Sequence, residues 1–265
     1  MALQFKVGNG EFGEVYHLVT AAHLLQKKGE KLAICFEDFK AGEELFNFLS
    51  VERAEYRSDA DAQHLGETAN IIFDHFYPDC LENLAKSIMV AARKAHWSFP
   101  YPRLAFTNPK LIIWQRGKEW MPHRNSSRRL LEQLVGLCAR HKTIPVVLGE
   151  EPEGITGAEE LGRFFENNFF GSGLSIPKQL WFFDQLFCSY GAIAQVGMMS
   201  GAMDGPAIFF RHKTVFLARH RDATPRMQKV WIVVPNLIWQ PIEYEGRFQE
   251  LTDAQLQILE QNLWC

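Results

Sequence analysis

Short apolar segments alternate along this chain with longer segments in which apolar residues recur every three or four positions. The short segments are typical of buried strands, and the longer period is that of an amphipathic helix. The alternation begins with a predicted strand at Leu3–Val7, continues through a helix that ends at Gly29, and returns to a strand at Lys31–Phe36. A helix that crosses between two strands makes them parallel, so the pattern restricts the chain to the α/β class.

The first half of the chain contains further predicted elements and ends in a proline-rich segment. Three prolines fall from Ser98 to Pro109, and proline both fixes φ and lacks the amide donor that a helix or strand needs. We therefore expect an N-terminal α/β domain at residues 1–98, a hinge at 99–109 and a C-terminal α/β domain at 110–265. The other predicted elements of the first domain are helix Gly42–Leu49, strand Asn70–Phe73 and helix Leu81–His96.

The second half restarts the same alternation of strands and helices. Its last helix has Thr252 followed three positions later by Gln255, a capping box that predicts a helix start at Thr252. The predicted elements of this half are strand Leu111–Trp114, helix Ser126–His141, strand Thr143–Leu148, helix Pro177–Cys188, strand Ala192–Val196, helix Gly205–Phe209, strands Thr214–Leu217 and Val230–Val234, and helix Thr252–Leu263.

The composition excludes several broad functional classes. With 28 basic and 31 acidic residues, the chain has no net positive charge to attract nucleic acid or an anionic membrane, so we expect no nucleic-acid partner. Five scattered cysteines without a C-x-x-C pair indicate reduced thiols. No signal peptide is evident, and no apolar run reaches the roughly 18 residues of a membrane span. These features predict a cytoplasmic protein without a transmembrane segment.

The stretch VGNGEFGEVYHL, from Val7 to Leu18, matches two phosphate-binding glycine patterns at once. Protein kinases carry G-x-G-x-F-G-x-V, and His220–Asp222 spells the triplet of a kinase catalytic loop. Such a loop needs an asparagine five positions after its aspartate to hold a metal ion, and Met227 stands there instead. A kinase glycine loop also joins two antiparallel strands, whereas this one precedes a predicted helix. These differences exclude a kinase.

Dinucleotide-binding domains carry the second pattern, G-x-G-x-x-G, between a strand and a helix, and Gly8, Gly10 and Gly13 stand at that spacing. Glu37 and Asp38 follow the second predicted strand, where an acidic side chain accepts hydrogen bonds from the ribose of NAD. The second half offers no evident set of residues for hydride transfer. An NAD(P)-dependent oxidoreductase therefore remains an alternative.

A third pattern combines segments from both halves of the chain. Gly13 and Glu14 open the first predicted helix, and the strand Leu111–Trp114 runs into the basic stretch Gln115–Arg129. The strand Val146–Gly149 follows, and Ala194–Gly201 ends in a Ser-Gly pair. This arrangement resembles the GT-B superfamily of glycosyltransferases, in particular heptosyltransferases and fucosyltransferases. The resemblance implies two Rossmann-like parallel-sheet domains that face each other across a cleft, with the nucleotide-sugar donor on the C-terminal side.

The same resemblance implies a metal-independent glycosyltransferase with a nucleotide-sugar donor, an unknown glycan or small-molecule acceptor, and no further cofactor. A carboxylate must take the proton of the acceptor hydroxyl, and cations must stabilise the departing diphosphate. His17 and His23 stand six positions apart on the first predicted helix and do not share a face, so we expect no metal site. The implied site residues are a base, Glu14 with Glu11 as its alternative, the glycine loop Gly8, Gly10 and Gly13, and the donor-binding residues Arg116, Lys118, Arg124, Ser200, Gly201 and Asp204.

Each of these residues also has a purely structural interpretation. The basic loop is compatible with a solvated helix start, and the Ser200-Gly201 pair with a tight turn between a strand and a helix. A carboxylate at Glu14 is stabilised by the helix dipole whether or not it acts as a base. Asp204 stands where the family often has a histidine, so either a donor contact or a helix N-cap remains open for it. With the short first half, this departure leaves a non-catalytic GT-B-like binding or scaffold protein as a further alternative.

Overall fold

The expected α/β architecture is confirmed, with parallel sheets flanked by helices. Nine strands and nine α-helices lie in the described part of the chain. The computed structural model describes residues 2–8, 12–37, 40–63, 67–75, 78–97, 108–117, 121–149, 159–160 and 176–265.

The first half builds a small parallel sheet in the order β1-β2-β3. Its two longer strands are largely buried, as is usual for a parallel sheet covered by helices. The strands are β1 (Gln4–Val7), β2 (Leu32–Phe36) and β3 (Arg53–Ala54), and the helices are α1 (Phe12–Gln26), α2 (Lys40–Phe48), α3 (Glu67–His75) and α4 (Pro78–Lys94).

The second half builds a six-stranded parallel sheet in the order β6-β5-β4-β7-β8-β9. Its strands are β4 (Lys110–Gln115), β5 (Ile144–Gly149), β6 (Glu159–Glu160), β7 (Ala192–Met198), β8 (Thr214–Ala218) and β9 (Leu237–Pro241). Its helices are α5 (Arg128–Arg140), α6 (Ile176–Cys188), α7 (Asp204–Phe210), α8 (Pro225–Val233) and α9 (Asp253–Trp264).

The strand order of the larger sheet fixes where a ligand is expected to bind. From β4 the chain proceeds outward through β5 and β6 and then returns to the other side of β4 as β7. The loops that leave the carboxyl ends of β4 and β7 therefore run in opposite directions and open a crevice between them. Ligands of open parallel sheets bind in this crevice. Arg116 follows β4 and Ser200 closely follows β7, so both predicted site segments lie at this edge.

Two predicted strands are wrong. Asn70–Phe73 is part of helix α3, and Val230–Val234 overlaps helix α8, whose N-cap is Thr224 and whose first residue is proline. Both are short apolar runs, and such a run does not by itself distinguish a buried strand from the buried face of a helix. The strands that take their places are Arg53–Ala54 and Leu237–Pro241. The predicted capping box at Thr252 and Gln255 is confirmed.

The two halves meet along helices. Helix α1 contacts α7 and the turn before it, α3 contacts α8, and α2 and α4 contact α6. Most of the expected hinge at 99–109 lies outside the described residues, which resume at 108. None of the helices in the described ranges is long and apolar enough to cross a membrane.

A buried side-chain amide ties the centre of the larger sheet to the turn that follows β7. Gln195 accepts a hydrogen bond from Trp114 Nε1 at 2.7 Å through its Oε1. Its Nε2 donates to Thr214 Oγ1 at 2.7 Å and to the carbonyl oxygen of Met203 at 3.0 Å. A single polar residue on β7 thereby forms hydrogen bonds to β4, to β8 and to the turn before α7.

We expect Gln195→Leu to lower the free energy of unfolding by about 3 kcal/mol, because Trp114 Nε1 and the Met203 carbonyl lose their buried partner. Urea unfolding followed by fluorescence measures this. The control is Gln257→Leu at an exposed position of α9, which we expect to change stability by less than about 0.5 kcal/mol. Equal stability of the two variants would contradict the structural role of Gln195.

Candidate functional site

The first turn of α1 packs directly against the turn that follows β7. A Cβ atom at Gly13 would lie 2.7 Å from Asp204 Oδ2 and 3.1 Å from the Cα of Gly201. Any side chain at position 13 would force one of these neighbours to shift, so the close contact favours glycine there. The structure therefore brings the predicted glycine loop and the predicted Ser-Gly turn together, although they stand almost two hundred residues apart. Because Gly13 has no side chain, the turn that follows β7 can pack directly against α1.

Asp204 is buried between the two halves. It is the first residue of α7, and Met203 holds the N-cap position without a side-chain hydrogen bond, so the expectation of an N-cap at Asp204 is not met. Its Oδ2 lies 3.7 Å from His17 Nε2, and the two side chains are 4% and 1% exposed. Tyr16 lies in the same place, and burial together with the charge of Asp204 raises the pKa of its hydroxyl.

The turn between β7 and α7 is held by Ser200. Its Oγ accepts a hydrogen bond from the amide of Ala202, which begins one turn of 3-10 helix at Gly201–Met203. This is the strand-to-helix turn that the structural interpretation expected, and it also places Gly201 against Gly13. Ser200 and Gly201 are only half-buried, so the turn borders both the α1 contact and solvent.

The charge of Glu14 acts on Arg124 at the same edge. Glu14 is half-buried in the first turn of α1. Burial lowers the pKa of Arg124, and the charges of Asp222 and Glu14 partly oppose that shift. An arginine keeps its positive charge throughout the physiological range regardless of such a shift. The base predicted on the N-terminal side therefore lies within electrostatic reach of a cation predicted on the C-terminal side.

Arg124 rests on a buried ion pair that sequence reasoning missed. Arg219 donates from Nε and Nη2 to both carboxylate oxygens of Asp222, at 2.8 and 2.9 Å. Arg124 Nη2 donates to the backbone carbonyl of Asp222 at 3.1 Å, and His123 Nε2 lies 3.4 Å from Asp222 Oδ1. The signal was present in the sequence. Arg219 and Asp222 stand three positions apart just after a predicted strand, and Asp222 also belongs to the kinase-like triplet His220–Asp222.

Arg116 supports the loop that carries Arg124. Its side chain is buried, and Nη1 donates to the carbonyl of Met121 at 2.9 Å and to Asn125 Oδ1 at 2.6 Å. Its backbone amide donates to Ser126 Oγ at 3.1 Å. These bonds hold the segment between β4 and α5 in place. They favour the structural interpretation of Arg116 over direct contact with a donor.

Four predicted site residues remain, of which the structure describes only one. Gly8 directly follows β1, whereas Gly10, Glu11 and Lys118 lie outside the described residues. Within the described ranges, no group of three or more His, Cys, Asp or Glu side chains is arranged to hold a metal ion.

Comparison with known proteins identifies the fold. Two α/β halves with parallel sheets, joined at the carboxyl edge of the larger one, define the GT-B class of architecture. No protein-family model matches the chain, and no curated protein matches it in sequence. Solved structures do match, at low sequence identity.

The structure of E. coli heptosyltransferase WaaC with ADP has a TM-score of 0.53 and 12% identity, covering 98% of this chain and 100% of that one. E. coli ADP-heptose LPS heptosyltransferase II has a TM-score of 0.54 and 12% identity, covering 99% of this chain and 97% of that one. WaaC with ADP-2-deoxy-2-fluoro heptose has a TM-score of 0.52 at 12% identity, with coverages of 98% and 100%. The chain therefore has the fold of GT-B heptosyltransferases, as the resemblance predicted.

We expect Gly13→Ala to lower the free energy of unfolding by about 1–3 kcal/mol, because its methyl group would overlap Asp204 Oδ2 and Gly201. Thermal or urea unfolding measures the change. Gly136→Ala is the matched control, since a Cβ at this position of α5 meets nothing within 4 Å. We expect that substitution to stabilise the chain by about 0.4–1 kcal/mol. Two stabilising substitutions would contradict the close contact at Gly13.

The ion pair behind Arg124 predicts a pH dependence. Burial opposes ionisation of Asp222, but the bond from Arg219 and the charges of Arg124 and Arg219 outweigh it and lower the pKa of Asp222. A lowered folded-state pKa gives stability that is fully present well above the unfolded value of about 3.9 and is lost as the pH falls through the folded value. We expect Asp222→Asn to cost about 3–5 kcal/mol at pH 7, and less at each step below about pH 4.

The control for this prediction is the exposed pair from the same segment. Arg221 Nη2 lies 3.7 Å from Glu245, whose side chain is 93% exposed. Glu245→Gln should change stability by less than about 0.5 kcal/mol at any pH. A constant difference between wild type and Asp222→Asn from pH 7 to pH 3 would contradict the assignment.

Proposed function

We propose that this chain is a metal-independent glycosyltransferase that moves a sugar from a nucleotide-sugar donor to a hydroxyl group of a glycan or small-molecule acceptor. The observation that carries the proposal is the contact of Gly13 with Gly201 and Asp204, which brings the first turn of α1, with Glu14, against the turn that follows β7. The charge of Glu14 also acts on Arg124 from the other half, where β4 and β7 diverge. The shared fold of the heptosyltransferases supports the proposal.

The proposed reaction assigns a separate task to each side of the site. Glu14 takes the proton of the acceptor hydroxyl as its oxygen attacks the anomeric carbon of the donor sugar. The bond from that carbon to the diphosphate breaks, and its electron pair leaves with the nucleoside diphosphate. Arg124 stabilises the negative charge that grows on the departing oxygen. Ser200 and Gly201 border the diphosphate.

The geometry of Arg124 suits an anionic ligand. Its Nη2 donates to the carbonyl of Asp222, and its buried Nε lies 4.0 Å from Asp222 Oδ2. A guanidinium forms charge-assisted bonds to phosphate oxygens, so a diphosphate would bind the N–H groups of Arg124 that Asp222 does not use. Because Arg124 supplies the positive charge, the scheme needs no metal ion. Lys118 is proposed to add a second cation from the same loop.

Two observations disfavour an NAD(P)-dependent oxidoreductase. The backbone of Gly13 is covered by Gly201 and Asp204, so a pyrophosphate cannot approach it as a dinucleotide fingerprint requires. Glu37, the acidic residue expected to bind ribose, lies 3.2 Å from Lys6 Nζ and is 59% exposed. Asp38 lies outside the described residues.

Nucleotide binding tests the proposal. ADP is the first probe because a WaaC structure contains it, with UDP, GDP and NAD alongside. A ligand at about 100 times its Kd should add about 2.7 kcal/mol to the stability of the wild type in a thermal-shift assay. We expect Arg124→Met to abolish this response. Arg129→Met removes an equal charge from the exposed start of α5, where Arg129 pairs with Glu250, and should leave the response unchanged.

The same assay separates the alternatives. A response to NAD and to no nucleoside diphosphate would favour the oxidoreductase, and no response at all would favour a non-catalytic protein. With ADP-heptose as donor, Glu14→Gln should reduce ADP release about 100-fold while ADP binding stays intact. Unchanged release in this variant would remove Glu14 from the mechanism. Loss of wild-type activity in EDTA would contradict metal independence.

A further inference from the structure

The carboxylate of Asp204 is seated on one face of helix α1. Residues 13, 16 and 17 lie three and four positions apart and therefore on the same side of a helix. Gly13 provides space for Asp204 Oδ2, His17 Nε2 lies 3.7 Å from that oxygen, and the charge of Asp204 acts on the Tyr16 hydroxyl. We refer to Gly13, Tyr16 and His17 as the Asp204 seat. All three are buried.

The seat is closed from the other side by α7. A Cβ at Gly205 would lie 2.9 Å from Cζ of Tyr16, and the ring of Phe209 packs edge-on against Tyr16 with 5.6 Å between centroids. Asp204 itself is positioned by the preceding carbonyl, which accepts the hydrogen bond from Gln195. The contact is therefore rigid on both partners, and α1 cannot rotate about its axis without breaking it.

That rotation determines where Glu14 points. Consecutive residues of an α-helix project about 100° apart, so pinning Gly13 and His17 to Asp204 also fixes the direction in which Glu14 projects beside the turn that follows β7. We infer that His17 and Asp204 are positioning residues, whose buried contact orients the Glu14 carboxylate against the donor-binding side. The inference rests on the proposed function, because it assigns these residues a role in the rate of that reaction. Neither residue is placed in contact with the substrate.

Kinetics distinguish positioning from simple structural support. With ADP-heptose as the probe, we expect Asp204→Asn and His17→Gln each to lower the rate constant of ADP release at least tenfold. The KM for ADP-heptose and the Kd for ADP should change less than about threefold in both variants. The double variant should lose no more rate than the worse single variant, because one contact is broken in all three. Asp204→Glu, which restores the charge, should recover part of the rate.

His23→Gln provides the control on the same helix. His23 is a partly buried histidine of α1 outside the Asp204 seat, so its replacement should leave the rate constant and KM unchanged. Should Asp204→Asn fail to fold, His17→Gln tests the same contact from the other partner. Proportional loss of rate and ADP affinity, or multiplied losses in the double variant, would overturn the positioning role alone. Absence of binding to every nucleoside diphosphate tested, together with absence of ADP release in the wild type, would overturn the proposed function and the positioning role together.

Discussion

The side-chain amide of Gln195 is the interaction on which the rest of the site depends. It occupies the middle of the larger sheet, where a polar group is costly unless every donor and acceptor is satisfied. Its bonds to Trp114 and Thr214 hold β4 and β8 on either side of β7. Its bond to the Met203 carbonyl also holds the turn before α7 in place. The sheet therefore fixes not only its own strands but also the position of Asp204.

Asp204 in turn contacts helix α1 in the other half of the molecule. A buried carboxylate needs partners, and here they come from the first two turns of α1. The contact exists only because Gly13 has no side chain, which gives the glycine pattern a different meaning from the one that phosphate-binding loops suggest. In those loops glycine lets a ligand approach the backbone. In this chain it lets the two halves approach each other.

Sequence patterns predicted the α/β class and most elements. They failed where a local pattern was ambiguous or a long-range contact decided the outcome. The apolar runs around Ile71 and Trp231 fit a strand or a helix equally well, and packing between α3 and α8 selected the helix. The partnership of His17 with Asp204, like that of Arg124 with Asp222, joins residues far apart in sequence. The spacing of residues in the sequence does not predict such pairs.

Several arginine side chains lie at the carboxyl edge of the larger sheet. The chain carries a net charge of −3, so an anionic ligand must be attracted by a local excess of cations. Arg116, Arg124 and Arg219 supply that excess around the carboxylate of Asp222. Arg219 neutralises Asp222 through two bonds, and Arg116 is committed to its own loop. Arg124 lies 4.0 Å from Asp222 Oδ2 and feels the charge of Glu14 as well, and in the proposed reaction it is the cation that stabilises the departing diphosphate.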